Sequence, residues 1–167
     1  MDARTGEIAL CAMAMIDDIK TLGGKVMALD LGDKRIGVAI SDATRTIASP
    51  HSVINRRSRV EDVERYIRLI DEQNITLIVV GLPVPLSGIE GQHTTWVRDY
   101  AANLSQYTDV PVIFWDESLT TREAEAALRA QGRRGKQIKQ RVDAVAAALI
   151  LQSYLDAQRG ELPDDHA

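Results

Sequence analysis

Three strand-like segments in succession, with no helix between them, follow the first two dozen residues of this chain. Lys25 to Leu31 is apolar apart from its first residue and Asp30. In Ile36 to Ile40, Ile36, Val38 and Ile40 share one face and Gly37 and Ala39 the other, the period of two that marks a strand. Residues 46–54, TIASPHSVI, form a third and weaker candidate in which Pro50 marks an edge or a bend. Only then does the period lengthen. Val60, Val63, Tyr66, Ile67 and Ile70 recur at helical spacing, with Glu61, Asp62, Glu64, Arg65 and Arg68 opposite. Residues 75–81, ITLIVVG, are a continuous apolar run of the kind a parallel sheet buries on both faces. A loop containing glycine and proline leads to a helix carrying Trp96, Val97, Tyr100, Ala101 and Leu104, and then to another buried strand, PVIFWD, over residues 111–116. LTTREAEAALRAQG supplies a further helix, with Thr120 as N-cap, Glu123 completing a capping box and Gly132 as its stop. The last helix runs from Gln140 to Ala157.

The resulting order is βββαβαβα. A doubly wound sheet alternates strand and helix from its start, whereas three strands in series before the alternation is the order of the RNase H-like fold. The expectation is therefore an α/β protein with a mixed five-stranded sheet flanked by helices. Residues 1–24 read as an extra N-terminal helix, residues 25–158 as one RNase H-like domain and residues 159–167 as a polar tail. A chain of 167 residues with 45% apolar content suits a single domain with its own core. The opening stretch MDARTGEIALCAMAMIDDIKTLGG places Asp17, Asp18 and Lys20 directly after its apolar patch, unlike a secretory signal. No stretch is long and apolar enough to span a bilayer. Cys11 is the single cysteine, which excludes an internal disulfide and fits a reducing cytoplasm.

Asp30 interrupts a strand core near its end, where a neutral residue is the ordinary choice. Asp116 and Glu117 stand where the fifth strand ends. In a mostly parallel sheet the carboxyl ends of the strands converge on one crevice. A third acid, Asp143, interrupts VDAVAAALILQSYL, a helix apolar nearly all round, and its same-face neighbours are Ala146, Ala147 and Ile150. Each acid has an ordinary explanation when taken alone: an Asx turn at Asp30, a helix cap at Asp116 or Glu117, a first-turn acid at Asp143. Taken together they converge in one fold. Buried carboxylates repel one another unless a divalent cation joins them, and Mg²⁺ or Mn²⁺ suits a few carboxylates plus water and phosphate oxygens. Such ions activate water and stabilise a leaving oxygen in phosphodiester cleavage.

The net charge of −4 argues against an all-over polyanion-binding surface and leaves room for local patches. One is NRRSR, residues 55–59. The other, RRGKQIKQR, carries Arg133, Arg134, Lys136, Lys139 and Arg141 just ahead of Asp143, where cations flanking an acid cluster can hold a nucleic acid. Lys34 and Arg35 stand on the hairpin beside Asp30 and can reach substrate phosphates or form a solvated turn. Gly32 and Gly37 allow close approach of a phosphate to the backbone, or serve a tight turn and strand packing. GLPVPLSGIEGQHTT is a long loop beside the crevice, placed to shape substrate entry. His93 within it reads as an ordinary surface histidine, and three scattered histidines with one cysteine make no zinc pattern. Trp96 and Trp115 sit at apolar helical and strand positions, which favours core packing over base stacking.

The segments ALDLGDKRIGVAISD, IVVGLPVPLSGIEGQ, DESLTT and VDAVAAALILQSYL, in this order and spacing, make the chain resemble the YqgF/RuvX family from Val26 to about Leu155. That family is assigned both as Holliday junction resolvases and as pre-16S rRNA nucleases. The resemblance implies an RNase H-like fold and a catalytic acid cluster falling on Asp30, on the Asp116/Glu117 pair and on Asp143. Which member of the pair is the ligand stays open, because VIFWDE shows no alternation. The chain departs from the family at Ser118, where an arginine is usual, and at Val84-Pro85, where an asparagine is usual. Neither change removes a carboxylate.

The leading expectation is thus a cytoplasmic endonuclease dependent on Mg²⁺ or Mn²⁺, acting on pre-16S rRNA or on branched DNA. Resolving a symmetric four-way junction implies a homodimer, whereas cutting RNA is open to a monomer. Two alternatives come from other classes. A non-catalytic nucleic-acid-binding module acting in transcription keeps the basic loop and tolerates loss of the acids. A kinase of the actin-like type also begins a phosphate loop with Asp-x-Gly, but needs roughly twice this length.

Overall fold

The computed structural model describes residues 23–85, 87–119 and 137–160. The expected N-terminal helix, the helix expected after Thr120, the loop cations Arg133, Arg134 and Lys136, and residues 161–167 lie outside the described residues. Three strands come first, β1 (Lys25–Leu31), β2 (Arg35–Ser41) and β3 (Ala48–Asn55). They are followed by α1 (Arg59–Gln73), β4 (Ile75–Leu82), α2 (Gln92–Ser105), β5 (Val112–Asp116), a 3₁₀ turn over Glu117–Leu119, and α3 (Gln137–Gln158). The last helix begins at Gln137 rather than Gln140, so Lys139 and Arg141 belong to its opening turns.

The five strands lie in the order β3-β2-β1-β4-β5. The first three are antiparallel neighbours, and β4 and β5 run parallel to β1. This is the sheet expected of the βββαβαβα order. Strand alternation sends β1 to two different cores. Met27, Leu29 and Leu31 join Val63, Tyr66, Val97 and Leu104 under α1 and α2, while Val26 and Ala28 join Ala147, Ala148, Leu151 and Leu155 of α3. Full burial of one such Leu or Val contributes roughly 1.5–3 kcal/mol, so both faces hold the sheet.

Local chemistry fixes the helix ends. Ser58 caps α1 by accepting a hydrogen bond from the Glu61 amide at 3.2 Å, and Asn74 ends it in the left-handed conformation at φ 53°. Beneath α1, the buried Asp62 accepts from the Tyr100 hydroxyl at 3.3 Å and from the Arg57 amide at 3.2 Å. Tyr66 and Tyr100 share a further hydrogen bond at 2.8 Å, which ties α1 to α2.

On the opposite face, α3 lies across β1, β2 and β3. It comes so close that a β-carbon added at Gly37 would stand 1.8 Å from the Asp143 carbonyl oxygen. The space beside Gly37 therefore belongs to α3 and not to a phosphate. Gly32 serves the hairpin turn, its amide donating to the Arg35 carbonyl at 3.0 Å.

Candidate active site

The α3-facing row of β1 runs Val26, Ala28, Asp30, so the alternation that buries the first two aims the third at the same face. Trp115 of β5 also faces α3. Its ring meets Tyr154 edge-on at 5.4 Å, and its Nε1 donates to the Ser153 hydroxyl at 3.1 Å. Two residues on, Glu117 continues that face, while Asp116 takes the other. The structure accordingly separates the pair that sequence left open. Glu117 forms a side-chain hydrogen bond with Asp30. Asp116 instead accepts from the Ser118 amide at 2.8 Å and the Ser118 hydroxyl at 2.7 Å, holding the turn that aims Glu117. Gly81 of β4 leaves the room Glu117 needs, since a β-carbon there would lie 2.8 Å from its Oε1.

Asp143 reaches this corner from the first part of α3. Its charge raises the pKa of Asp30, and its own Oδ2 pairs with the Arg35 Nε at 3.2 Å. Arg35 is thus engaged with an acid of the cluster. Lys34 is exposed on the hairpin, its carbonyl accepting from the Arg56 amide at 2.9 Å. Lys139 and Arg141 are placed by backbone on α3, ahead of Asp143.

Two carboxyl groups in hydrogen-bonding contact need a proton between them. Burial first, then the charge of Asp30 and the bond to it, push Glu117 up to about 7 from an ordinary 4.5. Asp30 is raised as well, by burial and then by Asp143, against the Glu117 hydrogen bond and the charge of His93, which pull it down. A carboxyl held above its unfolded value binds its proton more tightly in the native state. Stability is therefore full at low pH and is lost as pH rises from about 4.5 through about 7. The expected result is a metal-free protein that melts at a lower temperature at pH 8 than at pH 5, with Glu117→Gln flattening the difference. Scanning calorimetry in EDTA across that range checks it, and an equal slope in the variant would remove Glu117 as the source.

His93 is the residue whose part sequence reading missed. It borders an open groove of about 500 Å³, together with Pro83, Val84, Pro85, Ile89 and Glu117. Buried Thr94 fixes this arrangement by donating from its hydroxyl to the Pro83 carbonyl at 2.7 Å, which pins the start of α2 to the end of β4. The imidazole of His93 lies nearly parallel to the Trp96 ring, 14° apart with centroids at 5.8 Å. The Arg56 guanidinium covers Trp96 at 4.5 Å. The local signal for it in the sequence is the spacing of His93 and Trp96, three residues apart on one helix face.

Among the described residues, no three histidine, cysteine, aspartate or glutamate side chains are gathered closely enough to hold a metal ion as they stand. No helix among them is long and apolar enough to cross a membrane.

A family model described as RuvX, Holliday junction resolvase, matches residues 24–157. A relative from Roseiflexus sp. (strain RS-1), named "Putative pre-16S rRNA nuclease", is 43% identical over 81% of this chain and 96% of its own length. One from Thermoanaerobacter pseudethanolicus with the same name is 42% identical over 82% of this chain and 99% of its own. Among solved structures, RuvC of Thermus thermophilus bound to a Holliday junction superposes with a TM-score of 0.54. It is 15% identical and covers 82% of this chain and 96% of its own. That likeness shows the RNase H-like fold of the resolvases.

Proposed function

This chain belongs to the RuvX family, and we propose that it is a divalent-metal-dependent endonuclease acting in the 5′-end maturation of pre-16S ribosomal RNA in the cytoplasm. Family membership makes it a nuclease. The substrate, the ion and the residues that hold it are our reading, and the observation that carries it is the Asp30–Glu117 carboxyl pair at the carboxyl ends of β1 and β5.

The donor set fits a hard divalent cation. Asp30 and Glu117 present oxygens to one another with only a proton to reconcile them, and Asp143 stands near enough to raise Asp30. Mg²⁺ or Mn²⁺ accepts oxygen donors of this kind and keeps coordinated water. When bound, the ion supplies an acidified water and neutralises charge on the phosphate. The chain's own residues do the rest. Asp30 and Glu117 would hold the ion, with Asp143 as third donor once it turns from Arg35. Arg35 keeps Asp143 beside the hairpin, and Lys34, with the cations ahead of and on the first turns of α3, would attract the polyanion.

The RNA assignment is supported by the name its relatives carry. A second reading, junction cleavage, is favoured by the description of the family model. It demands two active sites and so a homodimer, whereas one RNA cut needs a single copy. Both readings are tested by incubating purified protein with labelled precursor RNA and with a mobile four-way junction, in Mg²⁺, Mn²⁺ or EDTA. Metal-dependent cutting of the RNA is the expected result. Symmetric cutting of the junction alone would move the assignment to recombination. Binding of both without cutting, unaffected by loss of the acids, would leave a non-catalytic binding module.

A further inference from the structure

We propose that the groove between His93 and the loop residues Pro83, Val84, Pro85 and Ile89 is a subsite for one unpaired nucleobase of the substrate, seated by stacking on the His93 imidazole. This rests on the nuclease reading and names the form of substrate that reading leaves open.

The stacking surface is already built. Arg56 lies over Trp96 at 4.5 Å and Trp96 in turn stacks with His93, centroids 5.8 Å apart, so the series of flat groups Arg56, Trp96 and His93 includes a ring, His93, that is itself exposed. Arg56 is itself fixed: its Nη1 donates in the guanidinium plane to the Asp33 carbonyl at 2.6 Å, while the flat face lies over the indole. A nucleobase is the flat group that would extend such a series by one member.

The rest of the groove agrees. Its apolar walls are Pro83, Val84, Pro85 and Ile89, with Ile89 76% and Val84 42% exposed beside the acid cluster. Among the described residues no lysine or arginine borders it, and that lining suits an uncharged ring better than a phosphate. Its ≈ 500 Å³ falls within the range of about 300–1,000 Å³ typical of small-ligand sites. Glu117 borders it as well, which puts the phosphate of a nucleotide held there beside the acid cluster. Thr94 is spent on the Pro83 carbonyl and the Ser118 hydroxyl on Asp116, so the described lining offers few free groups for reading base edges. The subsite should therefore accept any base and refuse one that stays stacked in a duplex.

The test walks a single abasic residue along fluorescently labelled single-stranded RNA and DNA 12-mers, with affinity read by anisotropy in Ca²⁺. In the wild type, one abasic position is expected to lower affinity by about 5- to 100-fold. His93→Ala should show that loss on the intact strand and no further loss at the abasic position. His93→Phe, which keeps a flat ring without the imidazole nitrogens, should restore both the affinity and the position dependence. An effect in either the RNA or the DNA arm supports the subsite and identifies the sugar it prefers. A flat abasic profile in the wild type, or the same profile in wild type and His93→Ala, overturns it, as does Phe behaving like Ala, which would make His93 a charge contact. Cleavage by the wild type in Mn²⁺, followed on the same strands, reports separately on the nuclease reading.

Discussion

Asp30→Asn is expected to lower metal-dependent cleavage by about 10³-fold or more. A divalent ion contributes several kcal/mol of charge stabilisation to phosphoryl chemistry, and each 1.36 kcal/mol is a factor of ten in rate. The amide keeps the volume of the carboxylate and removes the charge that Glu117 and Asp143 both face. The metal-free variant should fold, and at neutral pH it should melt above the wild type, because the repulsion is gone. Its thermal shift in millimolar Mn²⁺ should shrink, since an ion that binds only the folded state stabilises in proportion to its affinity. Cleavage assays and calorimetry on the same preparations check both halves. Activity within a few-fold of wild type would remove Asp30 from the metal site.

Gly37→Ala should be the most damaging single-methyl change in the sheet. Overpacking a core typically costs about 1–3 kcal/mol when side chains can shift. Here the obstruction is the Asp143 carbonyl, 1.8 Å from the new carbon, with the Ala144 amide nitrogen at 3.0 Å, so the whole helix must move. A loss of about 3 kcal/mol or more is expected, which lowers Tm by roughly 6–12 °C in a domain of this size. Cleavage should fall further than the folded fraction does, because Asp143 leaves its place with the backbone. Gly23→Ala, where nothing among the described residues lies within 4 Å, serves as the control and should be near neutral. Equal melting curves for the two variants would show that α3 has slack the structure denies.

The sheet was legible because its signals are local. Ile36, Val38 and Ile40 alternate against Gly37 and Ala39, and ITLIVVG is too short and too apolar for anything but a central strand. Asp30 and Asp143 could be picked out because a carboxylate in an apolar run has few inexpensive explanations. The choice between Asp116 and Glu117 was not legible. It turns on Trp115 packing under α3, a contact between residues 38 or more positions apart that no window of sequence contains. Gly37 gave an ambiguous signal for a similar reason, since the atom that forbids a side chain there lies on a distant helix. His93 was read as a surface residue, and exposed it is. Trp96 is its neighbour three residues on along α2, but Asp30 and the Arg56 that covers Trp96 come from elsewhere in the chain, so its place beside the acids depended on tertiary structure.

The placement of α3 also orders events during synthesis. Among the described elements this helix is the last made, and it packs on β1, β2 and β3, the first three. Until the ribosome has released it, Val26, Ala28, Leu77 and Val79 lack the cover that α3 gives them, and Asp143 has not arrived. With Asp143 the third donor proposed above, a nascent or prematurely terminated chain would be inert as a nuclease and adhesive through that sheet face, a species for chaperones or proteolysis. On that reading catalytic competence and burial of the face come in one docking step, which makes it hard for this protein to exist half-folded and active.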